Sequence, residues 1–197
     1  MLYAHPSPLR SEVNRPLARA AKRMAEVTFV DLYADYPDME IDADREQSRL
    51  RQHDIIVFMH PIYWYSTPAI LKQWQDIVLE YGFAYGEGGT ALHGKVMFSA
   101  VTTGGNEAAY CEDGYNNFTL RQMLTPIEQT AYLCGMTYLP PFVLHGARHA
   151  AEDGRVGTHV AEWRRLVAAL ISDRLDINAA QDMDRLSGHL NQLIREA

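Results

Sequence analysis

The spacing of hydrophobic positions changes period several times along this chain, and each change marks an element. Ile55 to Met59 is an unbroken apolar run with β-branched members, the pattern of a strand buried on both faces. It is expected to stop at His60-Pro61, because proline has no N–H to give to a ladder. Lys95 to Val101 and Val27 to Leu32 read the same way, and Met136 to Leu144 holds a last strand that Pro140-Pro141 should bend or place at an edge. Leu2 to Ala4 reads as the tail of another strand, so short that the first strand is expected to begin upstream of Met1 or to be clipped. Between the strands, apolar residues return at helical spacing. Val13, Leu17, Ala20, Ala21 and Met24 predict a helix over 11–25, and a short one is expected over 45–51 after a polar connection. Ile70, Leu71, Trp74, Ile77 and Val78 predict a helix over 68–81, with Thr67 as N-cap and Pro68 at the first helical position. Further helices are expected over 118–135, interrupted near Pro126, and over 157–171 and 179–195.

Strands alternating with helices predict an α/β, doubly wound parallel sheet with helices on both faces. Five strands favour the order 2-1-3-4-5. There is no repeat, low-complexity tract or linker, so residues 1–197 are read as one domain with a C-terminal helical extension over about 173–197.

Composition narrows the function classes. The chain is 47% hydrophobic and 22% charged, with a formal charge of −7 and no basic cluster, which argues against a nucleic-acid surface. Cys111 and Cys134 are too few for a disulfide scaffold and suit a reducing compartment. No apolar run reaches the ~20 residues needed to cross a bilayer, and the start has no charged region followed by an apolar stretch, so a soluble, cytoplasmic protein is expected.

Three segments follow predicted strands, where open α/β sheets bind ligands. His5 to Asn14 contains Ser11 as a helix cap; with Glu12 and Val13 it places free backbone N–H groups at a positive helix end, a natural anion site. Pro61-Ile62-Tyr63-Trp64-Tyr65 puts three aromatics in one loop, which suits a flat, conjugated ligand. Thr102-Thr103-Gly104-Gly105 lets a ligand approach the backbone. Each alone has an ordinary explanation: a capped helix, loop packing, a turn. Together they offer a phosphate cradle, aromatic walls and a hydrogen-bonding edge. The stretch Gly86 to Gly94 looks like a phosphate loop but follows a helix and precedes a strand, the reverse of a dinucleotide fingerprint. No histidine spacing suits a metal, and no Gly-x-Ser-x-Gly elbow exists.

With these pieces assembled, the chain resembles the NAD(P)H:quinone oxidoreductases of flavodoxin-like fold, and among them the ancillary subunits of glutathione-gated potassium-efflux systems. The matching residues are Tyr3-Ala4-His5-Pro6, Ser11-x-x-Asn14, His60 to Pro68, Gly82-Phe83-Ala84-Tyr85-Gly86, Gly88 to Lys95, Thr102 to Gly105 and Leu139-Pro140-Pro141-Phe142. The resemblance implies a homodimer with FMN, or alternatively FAD, in clefts at the subunit interface. It also implies two-electron hydride transfer from NAD(P)H to a quinone or similar electrophilic acceptor in a ping-pong cycle. By the same resemblance His5 and Ser11 to Asn14 hold the phosphate and ribityl chain, Pro61 to Tyr65 and Thr102 to Gly105 hold the ring, and Tyr110 faces its edge. The alternative it carries is a regulatory subunit of a membrane potassium-efflux antiporter, peripheral at the inner face of the membrane, with incidental turnover. A one-electron carrier fits the loops less well. Relatives often place a histidine shortly after this tyrosine; here Cys111 to Asn117 has none, and no imidazole is expected near Tyr110.

Overall fold

In the computed structural model, which describes residues 1–196, the chain runs through β1 (Leu2–Tyr3), α1 (Asn14–Ala21), β2 (Val30–Asp31), α2 (Leu32–Asp35), α3 (Ala43–Arg51) and β3 (Ile55–Pro61). It continues through α4 (Ala69–Val78), β4 (Val96–Thr102), α5 (Leu120–Met123), α6 (Thr125–Leu133), β5 (Thr137–Tyr138) and β6 (Phe142–Leu144). The last elements are α7 (Arg155–Ile171), α8 (Ile177–Gln181) and α9 (Leu190–Leu193). The strands form one parallel sheet in the order β2-β1-β3-β4-β5, with β6 also on β4. β5 and β6 take one position in the sheet: β5 pairs Val96 and Met97, and β6 pairs Ala100 to Thr102. Between them Leu139 N–H still donates to the Met97 carbonyl at 2.8 Å, but Pro140 and Pro141 have no N–H and break the ladder. The expected fifth strand is therefore two short ones.

Strand β3 runs through His60 to Pro61 instead of stopping before them, with Pro61 opposite Thr102. Parallel strands direct alternate residues to alternate neighbours. Met59 bonds towards β1, through Ala4 N–H at 3.0 Å, and Ile62 N–H donates to the Thr102 carbonyl at 2.8 Å. The N–H that Pro61 lacks would point past the end of β1, so its absence breaks no bond of the β1 ladder. Strand β2 is shorter than the expected 27–32 because β1, its partner, offers two residues. The helix after β3 starts one residue late, with Pro68 as its cap and no side-chain cap from Thr67.

Each face of the sheet has its own core. On one, Phe58, Ile70, Leu71, Trp74 and Val78 pack with α2 to α6; on the other, Val57, Met59, Phe98, Leu17 and Trp163 pack with α1 and α7. Trp74 is fully buried; at about 25 cal/mol/Å² an indole of roughly 200 Å² contributes about 5 kcal/mol before entropy. Its Nε1–H donates to Glu46 Oε2 at 3.0 Å, and Tyr36 Oη–H donates to Oε1 at 2.7 Å. Arg49 completes the shell of this buried carboxylate.

The expected helix over 179–195 is two single turns, α8 and α9, joined by an irregular stretch. Gly188 takes a φ of +82° there, and Ser187 turns its hydroxyl on the sheet, accepting from Val143 N–H at 3.2 Å and donating to the Val143 carbonyl at 2.8 Å. Leu186 N–H donates to the Pro141 carbonyl at 2.9 Å. These bonds, with buried Leu186, Leu190 and Leu193, cover the outer edge of β6, which would otherwise present unpaired backbone. Ala197, the end of the expected extension, lies outside the described residues.

Candidate functional site

The loop after β1 carries His5, a 3-10 turn at Pro8–Arg10 and then α1. Ser7 N–H donates to His5 Nδ1 at 3.1 Å, and burial lowers the basicity of the ring. The neutral imidazole therefore keeps its proton on Nε2, a free donor for an anion. Ser11 Oγ accepts the Asn14 N–H at 2.9 Å, so it caps the turn as expected although the α-helix begins at Asn14. Glu12 is exposed and Val13 buried. Asn14, 3% exposed, donates through Nδ2 to Thr102 Oγ1 at 2.8 Å. Its Oδ1 is buried without a partner. Such an acceptor costs about 1–3 kcal/mol until a donor reaches it, and a ligand hydroxyl or N–H entering between the first and third loops would satisfy it.

In the second loop Pro61 and Ile62 are buried. Tyr63 to Ser66 form a tight turn, closed by Tyr63 N–H to the Ser66 carbonyl at 3.1 Å and Ser66 N–H to the Tyr63 carbonyl at 3.0 Å. Trp64 and Tyr65 have φ of +47° and +65°. Two left-handed residues in a row make the type I′ geometry normally built from Asn-Gly; two bulky aromatics there store strain. Trp64 is 93% exposed, and Tyr63 and Tyr65 are about half exposed. The His5 ring meets Tyr63 edge-on at 6.1 Å, and Tyr65 Oη–H donates to Asn116 Oδ1 at 3.4 Å.

The third loop is tied to the chain that leaves β6. Thr103 N–H donates to the Leu144 carbonyl at 3.1 Å, Gly146 N–H to the Gly105 carbonyl at 2.7 Å, and Ala147 N–H to the Thr103 carbonyl at 2.8 Å. Thr102 and Thr103 are buried, while Gly104 is exposed. A side chain at Gly105 would begin 3.3 Å from the Tyr110 ring, so this glycine lets the tyrosine close over the loop. Tyr110, half-buried, also lies against His145, with ring centroids 5.3 Å apart. The expectation of no imidazole near Tyr110 is thus corrected. His145 arrives from the end of β6, not from the 111–117 loop. Its position just past a strand's carboxyl end was the available signal.

The structure brings the three loops and Tyr110 to one edge of the sheet. The glycine-rich stretch 86–94 leads into the amino end of β4, at the opposite edge. A cavity of about 810 Å³ also opens there, around Val27, His53, Val96 and Leu175. It shares no residue with the loops and lies outside the carboxyl-end geometry that ligands use in this architecture. A smaller cavity of about 200 Å³ lies behind Tyr110, between His145, Glu107 and Arg185. Among the described residues no group of His, Cys, Asp or Glu could hold a metal ion, and no helix is long and apolar enough to cross a membrane.

The flavodoxin-like fold family matches residues 1–167. The chain belongs to that family. It is 49% identical over 153 residues to the glutathione-regulated potassium-efflux system ancillary protein KefG of Pectobacterium carotovorum subsp. carotovorum (strain PC1), covering 78% of this chain and 84% of the relative. The general stress protein 14 of Treponema denticola in complex with FMN superposes with a TM-score of 0.80 at 36% identity, over 86% of this chain and 97% of that one. An NADPH-quinone reductase from P. pentosaceus gives 0.75 at 32%, over 84% and 94%. A structure named as a thermophilic tryptophan halogenase from Streptomycin violaceusniger gives 0.81 at 42%, over 84% and 96%.

The site's chemistry suits FMN. His5 Nε2–H and the Arg15 N–H in the first turn of α1 are donors open to an anion, since Ser11 Oγ already takes the Asn14 N–H and Pro16 has none. Asn14 Oδ1 has no partner, and in the third loop Gly104 leaves its backbone exposed to a planar ring.

Proposed function

We propose that this chain is an FMN-dependent NAD(P)H:quinone oxidoreductase, on the FMN-bound relative, the quinone-reductase relative and one observation above others: the unpartnered Asn14 Oδ1, buried where the phosphate loop meets the end of β4. His5 and residues 11–14 bind the phosphate and ribityl chain. Ile62 to Tyr65 wall the ring, and the loop 102–105 holds its polar edge. When bound, FMN supplies the redox chemistry, taking a hydride from NAD(P)H and passing it to a quinone in a ping-pong cycle. Tyr110 steadies charge on the substrate side. The chain is read as one domain with an extension from about residue 173, and as a homodimer whose exposed aromatics Trp64, Tyr81, Tyr115 and Phe118 suit an interface. The test is an absorbance spectrum of the purified protein, identification of extracted FMN or FAD, and anaerobic bleaching with NADH against NADPH, followed by quinone re-oxidation. No bound flavin after reconstitution would overturn the reading. Light scattering showing a 22.3 kDa particle at micromolar concentrations would reject the dimer.

The KefG relatives favour a second reading, an ancillary subunit that acts at a cytoplasmic face on a membrane potassium-efflux antiporter. Potassium flux from vesicles holding such an antiporter should then respond to added protein even where turnover is feeble.

A further inference from the structure

His145 is joined to the third loop by a bond whose direction can be worked out. Thr103 Oγ1 lies 2.8 Å from the Gly105 carbonyl oxygen and 3.0 Å from His145 Nδ1. A hydroxyl has one proton, and the carbonyl can only accept. Thr103 therefore donates to Gly105 and accepts from His145, which must carry its proton on Nδ1. The neutral ring then has its lone pair on Nε2. The ring is clamped from behind: Arg155 Nη1 donates to the His145 carbonyl at 2.7 Å and Nη2 to the Gly146 carbonyl at 3.2 Å. It shares the wall of the 200 Å³ cavity with Tyr110.

We propose that His145 is the positioning and proton-holding residue of this site. Nδ1–H fixes the Thr103–Gly105 edge, and Nε2, beside Tyr110, takes a proton when the site gains negative charge. The inference rests on the oxidoreductase reading and deepens it. NAD(P)H leaves as NAD(P)⁺ after giving up a hydride, so the site gains one negative charge, which one solvent proton on Nε2 offsets. The quinone then takes the hydride and this proton and leaves as hydroquinone, and His145 is neutral again. The other charged groups around it are compatible with this cycle. Glu107, ion-paired with Arg185, favours the protonated ring, and Arg185 opposes it; Asp184 and Arg121 line the same cavity. Arg148 lies beside Gly104 and Arg155 behind the imidazole. Burial, the largest influence, keeps the resting ring neutral.

Two arms test this. Nitrogen-15 NMR of the flavin-free protein at pH 7.5 should find the His145 proton on Nδ1; a proton on Nε2 would overturn the positioning role. In the second arm, His145→Asn keeps a donor where Nδ1 stood but cannot titrate, and His145→Leu removes both functions. FMN affinity should stay within about twofold for His145→Asn and fall about tenfold for His145→Leu, the effect of one buried hydrogen bond. Proton uptake on anaerobic reduction, read with an indicator dye in weak buffer, should be lower in His145→Asn than in wild type by up to one proton per flavin. Equal affinity loss in both variants overturns the positioning role, and equal proton uptake in His145→Asn and wild type overturns the proton role. If wild type binds no flavin, the oxidoreductase reading fails and takes the proton role with it, while NMR still decides the tautomer.

Discussion

The turn at Trp64-Tyr65 should be less stable than it needs to be, and replacing Trp64 should show by how much. A non-glycine residue in the left-handed region costs about 1–2 kcal/mol, and Trp64 sits there at φ +47°. At 93% exposure its indole recovers almost none of that by burial. Asparagine tolerates this conformation and is favoured at this position of a type I′ turn. Trp64→Asn should therefore stabilise the flavin-free protein by about 1 kcal/mol, raising Tm by roughly 2–4 °C for a chain of this length. Trp64→Ala is the control. It removes the indole but keeps a Cβ in the left-handed region, so it should gain little.

Urea unfolding of flavin-free protein, followed by near-ultraviolet circular dichroism, gives both differences on one scale. Equal midpoints for Trp64→Asn and Trp64→Ala would refute the strain argument. The same two variants should move the other way in an FMN titration, each losing roughly 1 kcal/mol of affinity, or about fivefold, if the indole contacts the ring. A gain in stability with no loss of affinity would mean that the turn presents Trp64 to a protein partner, and would remove it from the flavin wall.

Other consequences can be checked as directly. Glu46→Ala leaves the Tyr36 hydroxyl and Trp74 Nε1–H unpaired in the core and should cost about 3–5 kcal/mol in urea unfolding, against much less for an exposed acid such as Asp76. Burial lowers the imidazoles of His60 and His159 to about 4. The unfolded chain then binds protons more readily below its own value near 6.5, so stability should be complete above that pH. It should fall by up to about 1.4 kcal/mol per pH unit for each histidine as pH drops towards 4; His60→Phe and His159→Phe should each flatten the profile. Ser11→Asp sets a carboxylate against the phosphate cradle and should weaken FMN at least tenfold while sparing riboflavin. Tyr110→Phe should slow hydride transfer or quinone turnover in stopped flow with FMN affinity near normal.

What the sequence revealed of this fold is what depends on local pattern. The apolar runs at Ile55 to Met59 and Lys95 to Val101 became β3 and β4, and the alternation of strands and helices gave the sheet order. Misreadings arose where a distant partner decided the outcome. Val27 to Leu32 looks like a long strand, but its length is set by the two residues of β1. Pro61 looks like a terminator, but β1 has already ended on the side its missing N–H would face, while its other neighbour β4 still pairs it with Thr102. Ala179 to Arg195 has helical spacing, yet Ser187 and Leu186 bond to the edge of β6, and those bonds compete with helical ones. The site loops were legible because each follows a strand. His145 also follows a strand, but its meeting with Tyr110 was not legible, because it comes about only when β6 is laid beside β4.

That pairing explains how three loops become one site. The end of β4 is where they are tied: Thr102 receives Asn14 from the first loop through its hydroxyl and Ile62 from the second through its carbonyl. Thr103 and Gly105 receive the chain that leaves β6. Each bond is ordinary, worth about 1 kcal/mol net, but they converge on three residues, Thr102, Thr103 and Gly105. A displacement there moves the anion cradle, the aromatic turn and the Tyr110 wall together, whereas a change in one loop is resisted by ties from the others. Substitutions at Thr102 and Thr103 should therefore disturb ligand affinity more than those at the exposed aromatics.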